Sequence, residues 1–146
     1  MHPLPSTHEE IAAFVSAFEA GTLPKERWTH AAHILSGAWY VHALGPDAAL
    51  GEMRRRIRAY NESVGTQNTD TSGYHETITV FWIRVLAGEL ARRPDTTRAS
   101  FVIESVEHFG QQRDILTRYY SFNVVKSTEA RRVWIEPDLM AIEADS

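Results

Sequence analysis

Apolar side chains recur every three to four residues along most of this 146-residue chain. In the first such segment Ile11, Phe14, Val15 and Phe18 share one helix face, and Gly21 follows as a signal that the helix ends. A chain whose hydrophobic positions follow the 3.6-residue period buries them by packing helix against helix. We therefore predict an all-α fold, a compact bundle of five to six helices.

Capping residues, glycines and prolines mark the boundaries of the predicted helices. Ser6 precedes Glu9 by three residues, which suggests a capping box at the first helix. Further helices are predicted over about 29–44, 46–63 and 74–92, from a cap at Thr96 or Thr97 to near 110, and over about 111–120. The tail is expected to hold one more turn before Pro137. Residues 122–125 and 132–135 could be short strands, but neither alternates for long enough to require a sheet.

The length and composition indicate one domain. A chain of this size can bury a substantial core, and no repeat, low-complexity tract or linker divides it. We predict a single helical domain over residues 1–146, with ends at about 1–6 and 140–146 that fray.

Charge and composition exclude several classes of protein. The net charge is −4, and a nucleic-acid-binding domain would usually be basic. The arginine-rich run at residues 54–58 spreads around a helix, so we interpret it as a solvated face, with an anion-binding patch as the alternative. The first ten residues lack the features of a signal peptide, and no apolar run is long enough to cross a membrane. We expect a cytoplasmic protein that binds neither nucleic acid nor membrane, and a homodimer is a possible assembly.

Three histidines are the main candidates for a site. His30 and His33 lie three residues apart on the apolar stripe of the second predicted helix, and His75 lies on that of the fourth. The chain has no cysteine, so a transition metal would need nitrogen or oxygen donors. Three imidazoles from two helices would leave a coordination position open, as catalytic metal sites do. Gly37, one turn after His33, either leaves space beside the imidazoles or lets a neighbouring helix approach.

The histidine pattern permits three interpretations. The favoured one is a mononuclear site for a divalent transition metal, Zn, Fe, Cu or Ni, held by His30, His33 and His75. The second is a metal-free pocket in which the histidines act as acid, base or hydrogen-bond partners. The third is a set of ordinary core histidines. Standard signatures such as H-E-x-x-H, a phosphate-binding glycine loop and G-x-S-x-G are absent from the sequence.

Several other residues are predicted to complete the site. Glu76 follows His75 directly and could be a metal ligand, a general base or a helix cap, and Tyr74 beside it is the other candidate catalytic residue. The polar loop at 65–73 leads into His75 and could cover a pocket mouth, although most such loops are simply exposed. The candidate substrate-binding residues are Arg118, Tyr119, Tyr120 and Trp82. Arg118 could hold a carboxylate or phosphate if it faced the histidines.

The blocks "WTHAAH", "NTDTSGYHETIT", "RYYS" and "AR…WIEPDL" resemble, in this order, those of a family of small bacterial helical proteins without an assigned activity. The resemblance extends from about Phe18 to Leu139. It implies that His30, His33, His75 and Glu76 belong to one shared site, and it implies nothing about a reaction.

The sequence therefore predicts a metal-dependent enzyme that acts on a small organic substrate. The alternative is a metal-free binding or sensor protein with a histidine-lined pocket for a small molecule.

Overall fold

The structure is a computed structural model that describes residues 4–112 and 114–142. Seven α-helices lie within these residues, and five of them are long. They are α1 (His8–Ala20), α2 (His30–Leu44), α3 (Pro46–Ser63), α4 (Glu76–Arg92), α5 (Arg98–Phe109), α6 (Leu116–Tyr119) and α7 (Thr128–Arg132), with a 3₁₀ turn at Lys25–Arg27. The described part contains no strand, only an isolated bridge between Thr69 and Ser72. The all-α prediction is confirmed.

Helix α2 is the centre of the bundle and packs against α3, α4 and α5. Every residue from Ile34 to Val41 is buried, although only part of this run is strongly apolar. A helix buried on all sides needs small residues where neighbours come close, and Gly37 provides one such position. A Cβ there would lie 3.1 Å from Leu86 Cδ1 on α4. Gly37 therefore permits close packing of α2 on α4.

Side-chain caps fix the starts of the long helices. Thr7, Thr29 and Thr97 each accept a hydrogen bond from the backbone N–H three residues later. The first cap is Thr7 instead of the expected Ser6: its hydroxyl accepts from the Glu10 N–H, and the Glu10 carboxylate accepts from the Ser6 N–H. The fourth helix begins at Glu76 instead of 74, because His75 caps it.

The two candidate strands are irregular segments instead. At 122–125 the chain turns before α7, and at 132–135 it leaves α7 and lies against α4. There the Thr77 hydroxyl donates to the Val133 carbonyl at 2.7 Å and accepts from the Ile135 N–H at 3.0 Å. These bonds satisfy backbone groups that a sheet would otherwise pair.

Parts of the expected frayed ends, residues 1–3 and 143–146, lie outside the described residues. In the described part, no helix has the length and apolar character needed to span a membrane.

Phe81 lies at the junction of α4 with the C-terminal third of the chain. It is fully buried and makes edge-to-face contacts with Trp82 and Tyr119. Phe81→Ala should lower the free energy of unfolding by about 3–5 kcal/mol, because it removes a buried aromatic ring and leaves a cavity. Urea denaturation measures this loss. Val85→Ala on the same helix, where the side chain is only half-buried, should cost clearly less. Equal losses for the two variants would contradict the packing described.

Candidate functional site

A two-lobed cleft lies between the N-terminal ends of α2 and α4, with α3 as a third wall. We call the lobe lined by Lys25, Asn61, Thr66 and Arg131 the polar lobe, and its volume is about 430 Å³. We call the lobe lined by Met53, Trp82, Ile83 and Leu116 the apolar lobe, and its volume is about 490 Å³. The residues that border both lobes are Trp28, His33, Ile57, Ile78, Thr79 and Val125. Because the lobes share this border, we treat them as one cleft, with His33 at the junction.

The start of α2 fixes His33. Thr29 caps the helix through its hydroxyl, which accepts from the Ala32 N–H at 3.2 Å. Its carbonyl oxygen accepts from the His33 backbone N–H at 3.1 Å and lies 2.9 Å from His33 Nδ1. Only a protonated Nδ1 can donate to a carbonyl, so Nε2 is the acceptor nitrogen of the ring. Within the described residues Nε2 has no hydrogen-bond partner.

His33 is held in its uncharged form. The pKa of its imidazole is lowered to about 4, mainly by burial; the bond to the Thr29 carbonyl opposes this shift, and nearby His30 adds to it. The ring also packs on Trp28, with centroids 4.2 Å apart. The cleft is thus lined at its junction by a neutral, fixed hydrogen-bond acceptor.

His30 lies on the apolar lobe but is tied to α5. Its Nε2 is 3.1 Å from the Phe109 carbonyl oxygen, and its ring makes an edge-to-face contact with Trp82, with ring centroids 5.3 Å apart. Trp82, a predicted substrate-binding residue, lines the same lobe together with Met53 and Ile83.

His75 has a structural position at the start of α4. Its Nδ1 accepts from the Ile78 N–H at 3.2 Å, and its Nε2 is 2.9 Å from the Val124 carbonyl oxygen. One nitrogen accepts and the other donates, so both are occupied. A metal ion at Nδ1 of His75 would displace the Ile78 N–H, and one at Nε2 would displace the proton that is donated to Val124. No three His, Asp or Glu side chains in the described ranges are grouped to hold a metal ion.

Glu76 points away from the cleft towards α3. It accepts two hydrogen bonds from Arg54 Nε, each 3.1 Å long, and forms an ion pair with the Nη2 of the same guanidinium. The Tyr74 hydroxyl donates to Glu76 Oε1 at 2.7 Å. Burial raises the pKa of Glu76, but the bonds from Arg54 and Tyr74 outweigh it and the net shift is downward. This carboxylate is therefore ionised at neutral pH and already paired.

Tyr74 borders the polar lobe, but its hydroxyl is directed at Glu76. Burial, and then the bond to Glu76, raises the pKa of the phenol. The guanidinium of Arg58 lies 4.3 Å from the ring centroid. Arg54 thus contacts Glu76 on α4, and Arg58 contacts Tyr74 in the loop before it. The arginine run at 54–58 is therefore more than a solvated face.

The remaining predicted substrate-binding residues lie elsewhere. Arg118 is exposed, Tyr119 packs on Phe81, and the Tyr120 hydroxyl donates to the Ile135 carbonyl at 2.6 Å. None of these three lines either lobe among the described residues. Tyr119 and Tyr120 pack against Phe81 of α4 instead, and Tyr120 is also bonded to the tail.

The polar loop at 65–73 forms part of the wall. Asn68 Oδ1 accepts from Asn61 Nδ2 and from the Tyr74 N–H, both at 3.0 Å. Gly73 has a φ of +78°, and a Cβ there would lie 2.5 Å from the Gln67 carbonyl oxygen. Only glycine fits this position. Thr66 and Gly73 line the polar lobe, so the loop borders the cleft as the sequence suggested.

Sequence reasoning missed several residues of the cleft. Among them are Lys25 on the 3₁₀ turn, Ile57 on α3, Val125 before α7, and Arg131 on α7. Lys25, Ile57 and Val125 stand outside the sequence blocks that contain the histidines, and they reach the cleft through long-range packing.

His75→Ala tests the structural position of this residue. It removes the cap of α4 and leaves the Val124 carbonyl without its donor. We expect unfolding to become easier by about 1–3 kcal/mol, the cost of an unsatisfied buried group. His75→Asn should recover part of this loss, since asparagine is a good N-cap residue but is too short to replace both bonds. Urea denaturation of the wild type, His75→Ala and His75→Asn measures the change in the free energy of unfolding. An unchanged stability for His75→Ala would contradict the role.

The uncharged state of His33 predicts a pH effect. The pKa of His33 is lower in the fold than the ordinary value of about 6.5. The unfolded chain therefore binds the proton more readily, and stability is retained above about pH 6.5 and lost as the pH falls towards 4. His33→Phe should show a shallower decline over this range in thermal melts. Parallel declines for the two proteins would contradict the assignment.

The chain matches no family model, no curated protein and no solved structure to which it was compared.

Proposed function

We propose that this protein binds a small organic molecule in the two-lobed cleft, without a metal ion, through neutral His33. The observation that carries the proposal is the acceptor nitrogen of His33, which is oriented by the Thr29 carbonyl and has no partner in the described part of the chain. A pocket of this type, mostly apolar with a few placed polar groups, is typical of small-molecule sites.

The low pKa of His33 favours binding over proton abstraction. A general base works best when its pKa is near the operating pH. The imidazole of His33, with a pKa lowered to about 4 by burial, is a weak base but a reliable hydrogen-bond acceptor at neutral pH. The geometry therefore supports a carrier or sensor of a small ligand more than an acid–base enzyme.

The metal-dependent enzyme is the second candidate. The observation in its favour is that all three histidines border the cleft, His30 and His33 at the apolar lobe and His33 and His75 at the polar lobe. Against it, His75 bonds through both nitrogens, and Glu76 is paired with Arg54. Elemental analysis of protein purified without a histidine tag, with melts in the presence and absence of Zn, Fe, Cu or Ni salts, separates the two candidates. Stoichiometric metal that raises the melting temperature would favour the enzyme.

The cytoplasmic location and the homodimer expected from the sequence stay predictions. So does the absence of nucleic-acid and membrane partners.

Filling the cleft should abolish binding. Ile78 is half-buried and borders both lobes, so Ile78→Trp would occupy the junction. In ligand-observed NMR with a panel of aromatic amides and alcohols, we expect fragments that bind the wild type to lose binding to Ile78→Trp. Val85→Trp, on the same helix and outside the cleft, is the matched control and should bind as the wild type does. Fragments that bind all three proteins equally would contradict the location of the site.

His33→Phe isolates the acceptor nitrogen, because phenylalanine keeps the ring shape. Fragments with an N–H or O–H donor should bind up to about tenfold more weakly, since a net hydrogen bond contributes about 0.5–1.5 kcal/mol. Fragments without a donor should be affected little. A uniform loss for both kinds would mean that His33 acts only through packing.

A further inference from the structure

Two cations lie at the polar lobe without acidic partners. Lys25 reaches it from the 3₁₀ turn and Arg131 from α7. In the described part of the chain neither forms an ion pair with a carboxylate, and no Asp or Glu lines the lobe. By contrast Arg54 and Arg132 each contact a carboxylate. In a chain of net charge −4, this lobe therefore has a local excess of positive charge.

The guanidinium of Arg131 is already held in place. Its Nη1 donates to the Gly73 carbonyl at 2.7 Å and to the Tyr74 carbonyl at 3.4 Å, and its Nη2 donates to the Val125 carbonyl at 3.4 Å. A guanidinium has five N–H donors, so about two are left after these three contacts. Because the group is fixed before a ligand arrives, binding an anion would require little side-chain ordering.

The other residues that line the cleft indicate which further chemical groups a bound anion must have. Asn61 and Thr66 add neutral polar groups to the polar lobe. Across the junction, the apolar lobe is walled by Met53, Trp82 and Leu116, which offer no charge to a ligand. A molecule that occupies both lobes needs a charged end and an apolar body.

We infer that the ligand of the cleft is a carboxylic acid with an apolar ring or chain that also has an N–H or O–H donor for His33, bound with its carboxylate between Lys25 and Arg131. The inference rests on the proposed function and adds the class of ligand to it. A carboxylate offers two acceptor oxygens, which matches the two remaining donors of Arg131, and charge-assisted bonds to arginine are the stronger ones. The anion site thus lies on α7, and not at Arg118 as the sequence suggested.

A matched pair of probes tests the charge. The compounds indole-3-acetate and indole-3-acetamide have the same ring with its N–H donor and nearly the same shape, and only the first is an anion. By isothermal titration of the full chain, we expect the acid to bind about tenfold more tightly than the amide or better, the usual size of a hydrogen bond to a charged group. Added salt should reduce this difference.

Charge-removing variants locate the effect. Lys25→Gln and Arg131→Gln should each reduce the preference for the acid and leave binding of the amide nearly unchanged. Arg132→Gln is the matched control, since its side chain contacts Asp70 and does not line the cleft in the described structure. Lys25 is exposed, so Lys25→Gln keeps the test decisive if Arg131→Gln fails to fold.

The outcomes separate this inference from the proposed function. Equal binding of acid and amide, or a preference that survives both substitutions, overturns the carboxylate site and leaves the cleft as a neutral pocket. Binding of neither probe also overturns the inference, and the fragment panel with Ile78→Trp then decides the proposed function independently.

Discussion

The burial of α2 on all sides is the constraint on which the cleft depends. A helix enclosed by α3, α4 and α5 cannot move without disturbing three interfaces, so its N-terminal end is fixed in space. That end carries the Thr29 cap, and the same threonine carbonyl orients the imidazole of His33. The position of the acceptor nitrogen therefore follows from a packed core and one cap, and not from any ligand.

The start of α4 is also fixed by a side-chain cap, but here the cap is the histidine itself. His75 caps this helix through its own ring and reaches across to the Val124 carbonyl with the other nitrogen. These bonds tie α4 to the segment before α7, and Arg131 adds a second tie to the loop that ends at Gly73. His75 thus holds together the segments that form the wall of the cleft, while His33 faces the interior of the cleft. Two residues of the same type serve different purposes because of what surrounds each ring.

The charged side chains also differ between the outer side of α4 and the cleft side. On the outer side of α4, Glu76 is neutralised by Arg54 and bonded to Tyr74, which satisfies a buried carboxylate and joins α3 to α4. On the cleft side, Lys25 and Arg131 have no such partner among the described residues. Paired charges stabilise the scaffold, and unpaired ones are available to a ligand. This contrast is the observation from which we inferred a ligand with a carboxylate.

The sequence by itself determined the helical fold and most helix boundaries, because periodicity and caps such as Thr29 and Thr97 are local properties of the chain. Of the site residues that it proposed, His30, His33, Tyr74, His75 and Trp82 line the cleft, and Arg118, Tyr119 and Tyr120 do not line it in the described structure. It could not tell that His75 lies just outside α4 as its cap, since a shift of two residues in a helix start changes where a ring points. Nor could it place Lys25 or Arg131, which are far from the histidines in sequence. Only the tertiary structure decided which polar groups find partners, because hydrogen bonds such as those from His75 to Val124 and from Arg131 to Gly73 form between segments that local patterns do not connect.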